Sequence, residues 1–357
     1  MIYYNIASFL FDCLCKKVEQ VMFRQVVNRL KKLYQKHISD CYLPCTVFCR
    51  NPLVLATFEQ EFLKNSQAFL DCFSKSRAKT IHVFLQFGWE HETPENSEPL
   101  VRALKDILAQ CSRLSITLLA NSENEVRVLS RLGIHTVLCN HNAFVDETRY
   151  PILRLPKQYD AVYIARITPF KRHFLASQIR SLHLIGHPAW KAKEVSYTEE
   201  VVHHQLKHAV WSSHVDVKMI PAEIAKARCG LCLSKAEGAM FASIEYLLCG
   251  IPVVNTPSLG GRDVMFPDFA VKTVPDTPGA VAEAVQEFVE HAPEPEKIRA
   301  AALEKMKVHR GVFRQLLNDA MMPKSFPDSR PFPHKLILRC TKTPLQLLRY
   351  GLRKPKR

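Results

Sequence analysis

Two glutamates in the second half of the chain have the spacing and the surroundings of a ligand-binding pair. Glu237 follows a short apolar run and precedes Gly238, and Glu245 lies eight residues further on inside a helical pattern. We therefore expect Glu237 at the end of a strand, where open α/β sheets bind ligands, and Glu245 two turns into a helix. The glycine admits a ligand to the backbone, and the helix N-terminus attracts phosphate. Because each carboxylate accepts several O–H hydrogen bonds, the pair suits a hydroxyl-rich ligand.

Two basic side chains, Arg166 and Lys171, follow an earlier apolar run and suggest the opposite half of the same site. The run predicts a strand, so both cations should stand at its carboxyl end, close to the start of a helix. Two cations and the amides of a helix start together can neutralise a diphosphate leaving group. Arg172 is adjacent to Lys171 and competes with it for this role in the sequence pattern.

The two patches together resemble the retaining GT-B-fold glycosyltransferases of the glycosyl transferases group 1 family. That family carries two glutamates separated by seven residues, followed by Gly-x-Pro-Val-Val and then by Gly-Gly. This chain has Glu237 and Glu245, then Gly-Ile-Pro-Val-Val from Gly250, then two glycines at 260–261. The order of these motifs is more specific than any one of them.

Two further features of that family have counterparts upstream of the glutamates. The family places an arginine and a lysine near the first strand of its C-terminal domain, which matches Arg166 and Lys171. Its inter-domain link often reads Asn-Gly-Val-Asp, whereas residues 142–146 read Asn-Ala-Phe-Val-Asp, one residue longer and without the glycine. The resemblance extends over about residues 115–320.

The resemblance implies a role for each matched position. Glu237 would hold hydroxyl groups of the donor sugar, and Glu245 would bind the ribose hydroxyls of the nucleotide. Arg166 and Lys171 would bind the diphosphate and stabilise it as it leaves, so the motif requires neither a metal nor a cofactor. The remaining donor-binding positions that the motif implies are Gly238, Ala239, Met240, Phe241, Gly260 and Gly261.

The activity that the resemblance implies is transfer of a sugar, with retention, from a nucleotide-sugar donor. The acceptor would be a hydroxyl of a glycan or of a lipid-linked glycan, since the family commonly builds cell-surface polysaccharide, lipopolysaccharide or glycolipid. Two alternatives stay open at this stage. One is another GT-B-like enzyme acting on a sugar nucleotide, such as an epimerase or a transferase with an unusual donor. The other is a non-catalytic scaffold subunit that keeps the donor fold.

The first half of the chain departs from the family pattern. Relatives usually open with a strand and a glycine-rich loop that reaches the donor phosphates, whereas Gly88 is the first glycine here. Gly88 begins a polar cluster after a predicted strand, and within it Glu90 and His91 are candidates for contact with the acceptor. A solvated loop is the alternative interpretation. His187, which follows another predicted strand, is a candidate for the border of the cleft.

The elements that would position these residues alternate along the chain. Short apolar runs bounded by turn residues alternate with helical patterns, which is typical of parallel sheets with crossover helices. Two clusters of runs predict an α/β chain of GT-B-like architecture, with two doubly wound Rossmann-like domains facing a cleft. The predicted strands are 46–49, 81–87, 115–120, 136–139, 161–167, 182–185, 215–220, 230–234, 252–255 and 270–274. The predicted helices include 18–38, 98–111, 123–132, 239–248 and 294–322.

Charge divides the chain further. The 357 residues carry a formal charge of +15, and most of it lies at the two ends. We expect a basic helical segment at 1–40, a short acceptor-side domain at 41–150, a nucleotide-sugar-binding domain at 151–323 and a basic amphipathic tail at 324–357. Such ends favour an anionic membrane surface as partner. Nucleic acid is disfavoured, because none of its usual binding modules is visible.

Composition limits the class of protein. With 47% hydrophobic and 23% charged residues, the chain is neither mostly disordered nor a multi-span membrane protein. No secretory signal is evident, so we expect reduced cysteines and a cytoplasmic location, peripheral at the inner face of the cell membrane.

Two groups of residues raise the question of a metal site. The residues His37, Cys41, Cys45 and Cys49 recur every four positions, but Pro44 interrupts a helix there, and small buried hydrophobes are the favoured interpretation. A solvated face is likewise favoured for His203, His204 and His208. We therefore predict no metal site.

Overall fold

The structure is a computed structural model that describes residues 43–187, 192–327 and Phe332. The predicted helix 18–38, the N-terminal segment and nearly all of the basic tail lie outside these residues, as do His37 and Cys41. Within them, no helix is both long enough and apolar enough to cross a membrane.

The first sheet has five strands in the order β1-β2-β3-β4-β5. The β1 strand pairs antiparallel with β2, and the others are parallel. In the described part of the chain, β2 to β5 follow one another across the sheet in chain order, so this sheet is wound in one direction. The strands are β1 (Thr46–Arg50), β2 (Leu53–Phe58), β3 (Ile81–Gln86), β4 (Leu114–Ala120) and β5 (Thr136–Leu138). The helices that connect them are α1 (Glu59–Lys64), α2 (Ser66–Lys75), α3 (Pro94–Ala109) and α4 (Glu123–Arg131).

The second sheet has six parallel strands in the order β8-β7-β6-β9-β10-β11. The chain winds outward from β6 to β8, returns to β9 beside β6, and then winds outward in the opposite direction. This is the doubly wound arrangement, and its switch point between β6 and β9 is where such sheets bind ligands. The strands are β6 (Tyr159–Ile164), β7 (Leu182–Ile185), β8 (Val210–Ser212), β9 (Ala227–Cys232), β10 (Val253–Asn255) and β11 (Val271–Thr273).

Helices cover the second sheet, and the last of them also reaches the first. These helices are α5 (Ala192–Glu199), α6 (Ile220–Ala225), α7 (Phe241–Leu248), α8 (Pro278–Glu290) and α9 (Pro295–Met321). The ring of Phe313 on α9 packs edge-on against Phe48, Phe84 and Phe144, with centroids 5.4–5.6 Å apart. The last helix therefore shares one core with the first sheet.

The predicted α/β class with parallel sheets is confirmed, and one predicted strand is wrong. Residues 215–219 form a loop and a 3₁₀ turn, in which the Asp216 side chain accepts the Lys218 amide, and Ile220 then begins α6. The prediction assumed that this apolar run is buried in a sheet, whereas Val217 and Met219 are more than half exposed. The strand of this region is β8, which lies a few residues earlier in the chain.

The β2 strand was not predicted, although its run Leu-Val-Leu-Ala follows an Asn-Pro turn signal.

A glycine in β9 allows α7 to pack closely on the second sheet. A Cβ on Gly230 would lie 2.3 Å from the ring of Tyr246, which is fully buried. The Tyr246 hydroxyl accepts the Ile164 amide at 2.7 Å, which fixes the helix to the end of β6. The placement of α7, and of Glu245 next to that tyrosine, depends on this contact.

We expect Gly230→Ala to lower the free energy of unfolding by about 2–3 kcal/mol, because the added methyl group forces Tyr246 to move. The matched control is Gly311→Ala on α9, where a Cβ would meet nothing within 4 Å. The control should stabilise by about 0.5–1 kcal/mol through helix propensity. Chemical denaturation measures both, and equal stabilities of the two variants would contradict the expectation.

Candidate functional site

The switch point of the second sheet brings the predicted cation and carboxylate together. Lys171 ends a 3₁₀ turn after β6, and its carbonyl accepts the hydroxyl of the buried Tyr163. Glu237 follows β9, and its carboxylate pairs with the Lys171 ammonium. Both side chains are nearly buried, with 12% and 11% of their surface exposed. Each charge therefore compensates the burial of the other.

Arg172, the alternative to Lys171 in the sequence pattern, makes its contacts away from this ion pair and stabilises the fold. Its backbone is left-handed, with φ +52°, which turns the side chain away from that of Lys171. The guanidinium donates to the carbonyls of Leu233 and Ser234 and pairs with Asp276 at 2.9 Å. It also donates to Thr256 Oγ1 at 2.8 Å. Arg172 thus ties the turn after β6 to the ends of β9 and β10.

A cavity of about 990 Å³ opens over the switch point. Its walls include most of the residues that the sequence motif predicts for a donor site, and also His187. Within the described residues, Arg166 is exposed and makes no hydrogen bond or ion pair, whereas Glu245 is half-buried. The predicted site residues that line the cavity are Arg166, Lys171, Glu237, Gly238, Ala239, Met240, Phe241 and Glu245.

Gly260 and Gly261 support the cavity from behind and are not among its lining residues. A Cβ on Gly260 would lie 1.7 Å from the carbonyl oxygen of Glu237, and one on Gly261 would lie 2.2 Å from that of Asn121. The Gly261 amide donates to the Gly238 carbonyl at 2.7 Å. The two glycines therefore allow a close approach of backbone segments behind Glu237, and no contact with a ligand is needed to explain them.

The start of α7 presents its backbone to the cavity in an unusual conformation. Met240 precedes the helix with φ +50°, a region that few residues other than glycine adopt. Its carbonyl accepts the Ser243 hydroxyl at 2.8 Å, and Asn142 donates to the carbonyl of Ala239. These contacts hold the strained turn in place, and the first amides of α7 lie at the cavity wall.

The first sheet contributes the facing wall through the turn after β3. The buried carboxylate of Glu59 accepts the Gly88 amide, which fixes the turn. Trp89 lines the cavity, and its ring packs edge-on against Phe170, with centroids 5.2 Å apart. Gly238 lies against this turn, since a Cβ there would be 3.1 Å from the Gly88 carbonyl. The turn thus lies close to Glu237.

Glu90 and His91 belong to a buried network behind this turn and do not line the cavity. Glu90 accepts the Glu92 amide and the Asn96 side chain. His91 donates from Nδ1 to the Asn96 carbonyl, and its Nε2 lies 3.7 Å from a Glu59 oxygen. Burial lowers the pKa of His91, but the neighbouring carboxylates outweigh it and raise that pKa overall. Neither a solvated loop nor a direct contact with the cavity describes these residues.

Glu125 anchors the same network. Its carboxylate accepts the amides of His91 at 2.9 Å and of Asn121 at 2.6 Å. Burial raises its pKa from 4.5 to about 7, although the two amides and His91 act in the opposite direction. A carboxyl that titrates near neutrality thus holds the turn that carries Trp89.

Several residues that line the cavity were not predicted from the sequence, and three of them contact the predicted site or its facing wall. They are Trp89, His141, whose ring stacks on Phe241, and Tyr150, whose hydroxyl donates to Glu245. Each is isolated in the sequence, and only the folding of the chain brings it to the motif. An aromatic residue directly after a predicted strand and glycine was the one available signal, for Trp89.

Five of the residues considered for metal binding lie in the described part of the chain. Cys45 and Cys49 are buried, and the three histidines of residues 203–208 are exposed. In the part of the chain that the structure describes, no three His, Cys, Asp or Glu side chains are placed to hold a metal ion.

Solved structures resemble this arrangement of two sheets around a cavity. Sucrose-phosphate synthase from Thermosynechococcus elongatus matches with a TM-score of 0.53 at 16% identity, over 73% of this chain and 78% of that one. HepE from Anabaena, in complex with UDP, matches with a TM-score of 0.52 at 15% identity, over 74% and 78%. A glycosyltransferase from Rickettsia africae matches with a TM-score of 0.51 at 12% identity, over 73% and 82%.

The chain has the GT-B fold. This confirms the fold class predicted from the sequence, an α/β chain with two Rossmann-like parts facing a cleft. No protein-family model and no curated protein matches the sequence. At 12–16% sequence identity, the similarity to these solved structures shows the fold alone. What the cavity can do chemically is therefore argued from the residues that line it.

We expect Arg172→Met to lower the free energy of unfolding by about 2–3 kcal/mol, because it leaves buried carbonyls of the switch point without a donor. Arg166→Met is the matched control, since Arg166 is exposed and should change stability by less than about 0.5 kcal/mol. Thermal and chemical denaturation compare the two. A larger loss for Arg166→Met would contradict the structural assignment of Arg172.

We expect the stability of the native chain to fall relative to Glu125→Gln as the pH rises. The folded pKa of Glu125, about 7, lies above its ordinary value of 4.5, so its stabilising contribution is complete below about 4.5 and is lost as the pH rises through 7. Glutamine keeps one acceptor and does not titrate. Denaturation at pH 5 and pH 8 should show a relative change on the order of 2 kcal/mol, and parallel pH profiles would contradict it.

Proposed function

We propose that this chain is a glycosyltransferase that moves a sugar from a nucleotide-sugar donor to an acceptor hydroxyl. The observation that supports it best is the meeting of Lys171 and Glu237, with Arg166 and Glu245, in one cavity at the switch point. A cation pair and a carboxylate pair there match the two halves of a nucleotide sugar, its diphosphate and its hydroxyl groups. The GT-B fold is compatible with this, and HepE of that fold was solved with UDP.

In this proposal the reacting bond lies at the ion pair of Lys171 and Glu237. The ammonium and Arg166 bind the diphosphate, and the Glu237 carboxylate accepts hydroxyl groups of the donor sugar. As the bond from the anomeric carbon to the phosphate oxygen breaks, its electrons pass to the diphosphate, whose growing charge the two cations stabilise. The acceptor hydroxyl attacks the anomeric carbon from the same face, and its proton passes to the departing diphosphate oxygen. The configuration is retained, for which positioning and stabilisation of the leaving group are the main requirements.

The other end of the cavity suits the nucleoside. Glu245 binds the ribose hydroxyls, and an apolar wall beside it accommodates a planar base. The residues of that wall are Ile164, Ile185, Val215, Val217 and Ile220. The segment 215–220, which the sequence suggested as a strand, thus forms part of the base pocket in this proposal.

The acceptor and the cellular setting follow from the sequence resemblance and the charge. We propose a glycan or a lipid-linked glycan as acceptor, in the synthesis of cell-surface polysaccharide or lipopolysaccharide. The enzyme would act in the cytoplasm, held at the inner face of the membrane by its basic ends. Trp89, next to Glu237, lies on the wall from which an acceptor would enter. The reaction as proposed uses no metal, so a chelator should leave turnover unchanged.

The test is a panel of nucleotide sugars, scored by calorimetric binding and by slow donor hydrolysis. We expect at least one donor to bind and to be hydrolysed, and Glu237→Gln to lower turnover roughly 100-fold. UDP or another bare nucleotide should bind the variant within about threefold of the native chain, because it lacks the sugar. The matched control is Glu283→Gln on the exposed side of α8.

Three outcomes separate the candidate functions. No binding by any donor would overturn the proposal. Binding without hydrolysis or transfer would indicate the non-catalytic scaffold. A change of the sugar while it stays attached to the nucleotide would indicate an epimerase instead.

A further inference from the structure

A buried tyrosine hydrogen-bonds the carboxylate at the nucleoside end of the cavity. The Tyr150 hydroxyl donates to Glu245 Oε1 at 2.6 Å. Tyr150 is 6% exposed, and both residues line the cavity. Tyr150 lies in the segment that links the two sheets, and Glu245 lies on α7, so this bond joins two separate parts of the cavity wall.

One arginine donates hydrogen bonds to backbone carbonyls near both partners of the bond between Tyr150 and Glu245. Arg299 on α9 donates from the same nitrogen to the carbonyl of Tyr150 and to that of Leu248, at the end of α7. Its second nitrogen donates to the Glu147 carbonyl at 2.9 Å. The hydroxyl and the carboxylate are therefore held at a fixed separation before any ligand enters.

The chemistry of the bond is suited to orienting a carboxylate. Burial first, and then the charge of Glu245, raise the pKa of the Tyr150 phenol, so it stays protonated and remains a donor. An ionised carboxylate offers about four acceptor positions. The Tyr150 hydroxyl occupies one of these positions and restricts rotation of the group.

We propose that Tyr150 is a positioning residue that orients Glu245 toward the ribose hydroxyls, so that the site selects ribonucleotide over deoxyribonucleotide donors. This inference rests on the proposed function, in which Glu245 binds the ribose. The aromatic ring of Tyr150 fills space, and the hydroxyl supplies the orientation. The two contributions are separable, because phenylalanine keeps the ring and removes only the oxygen.

The experiment measures binding of UDP, GDP and ADP and of their 2′,3′-dideoxy forms by titration calorimetry. The variants are Tyr150→Phe and, as a matched control, Tyr159→Phe at the start of β6, which does not line the cavity. We expect Tyr150→Phe to weaken the best ribonucleotide roughly tenfold and its dideoxy form less than about twofold. The control should change neither. In Glu245→Ala, adding Tyr150→Phe should have no further effect.

The outcomes distinguish this inference from the function on which it rests. If the native chain binds none of the nucleotides, the proposed function fails and the inference with it. If the native chain binds but Tyr150→Phe weakens ribo- and dideoxynucleotides equally, the tyrosine is merely structural and the inference alone is overturned. Selective loss of ribonucleotide affinity, absent in the Glu245→Ala background, supports it.

Discussion

Buried amide groups in the link between the two sheets hold the carboxyl ends of both in one place. Asn140 Nδ2 donates to the Asn121 carbonyl at 2.9 Å, beside the first sheet, and to the Gly261 carbonyl at 2.7 Å, beside the second. Asn142 donates to the carbonyl of Ala239 at 2.5 Å. Because a buried donor without a partner costs about 1–3 kcal/mol, few other arrangements of these loops satisfy the link. The cavity has walls from both sheets as a result.

The same contacts connect the core to the charged pair at the switch point. The loop of Gly261 packs behind Glu237, and the carbonyl of Ala239 belongs to the strained turn that opens α7. On the other side, α7 is seated on β9 through Tyr246 and Gly230. Packing beneath the sheet edge thus places the backbone of Glu237 and Glu245, and contacts with Lys171 and Tyr150 hold their carboxylates.

The second sheet and its charged residues could be predicted from the sequence, because they depend on local patterns. Apolar runs bounded by turns marked most strands, and the spacing of Glu237 and Glu245 reflects one strand, one turn and one helix. Lys171 was chosen over Arg172 from the family pattern alone, whereas the orientation of the two side chains depends on a left-handed backbone at Arg172. Tyr150 could not be found either, because its partner lies 95 positions away.

The first sheet was harder to predict for a physical reason. Its polar residues after β3 are buried in a network with Glu59 and Glu125, which lie near the starts of two helices, α1 and α4. The sequence shows only that Glu90 and His91 are polar and follow a predicted strand. Polar residues at that position are equally typical of a solvated loop, of a ligand contact and of a buried network. Only the packing of three strand ends distinguishes them. The sequence lacks an early glycine-rich loop, and nothing in the family pattern indicated that Trp89 would line the cavity instead.

That tryptophan has a practical consequence, because the chain contains only three. Trp89 lines the cavity, and the Trp211 indole donates at 3.0 Å to the carbonyl of Gly186, another cavity residue. Trp190 lies outside the described residues. Indole emission shifts with the polarity and mobility of its surroundings, so the emission of these two tryptophans should respond to a ligand in the cavity. The chain therefore contains its own optical reporter of occupancy, without any attached dye.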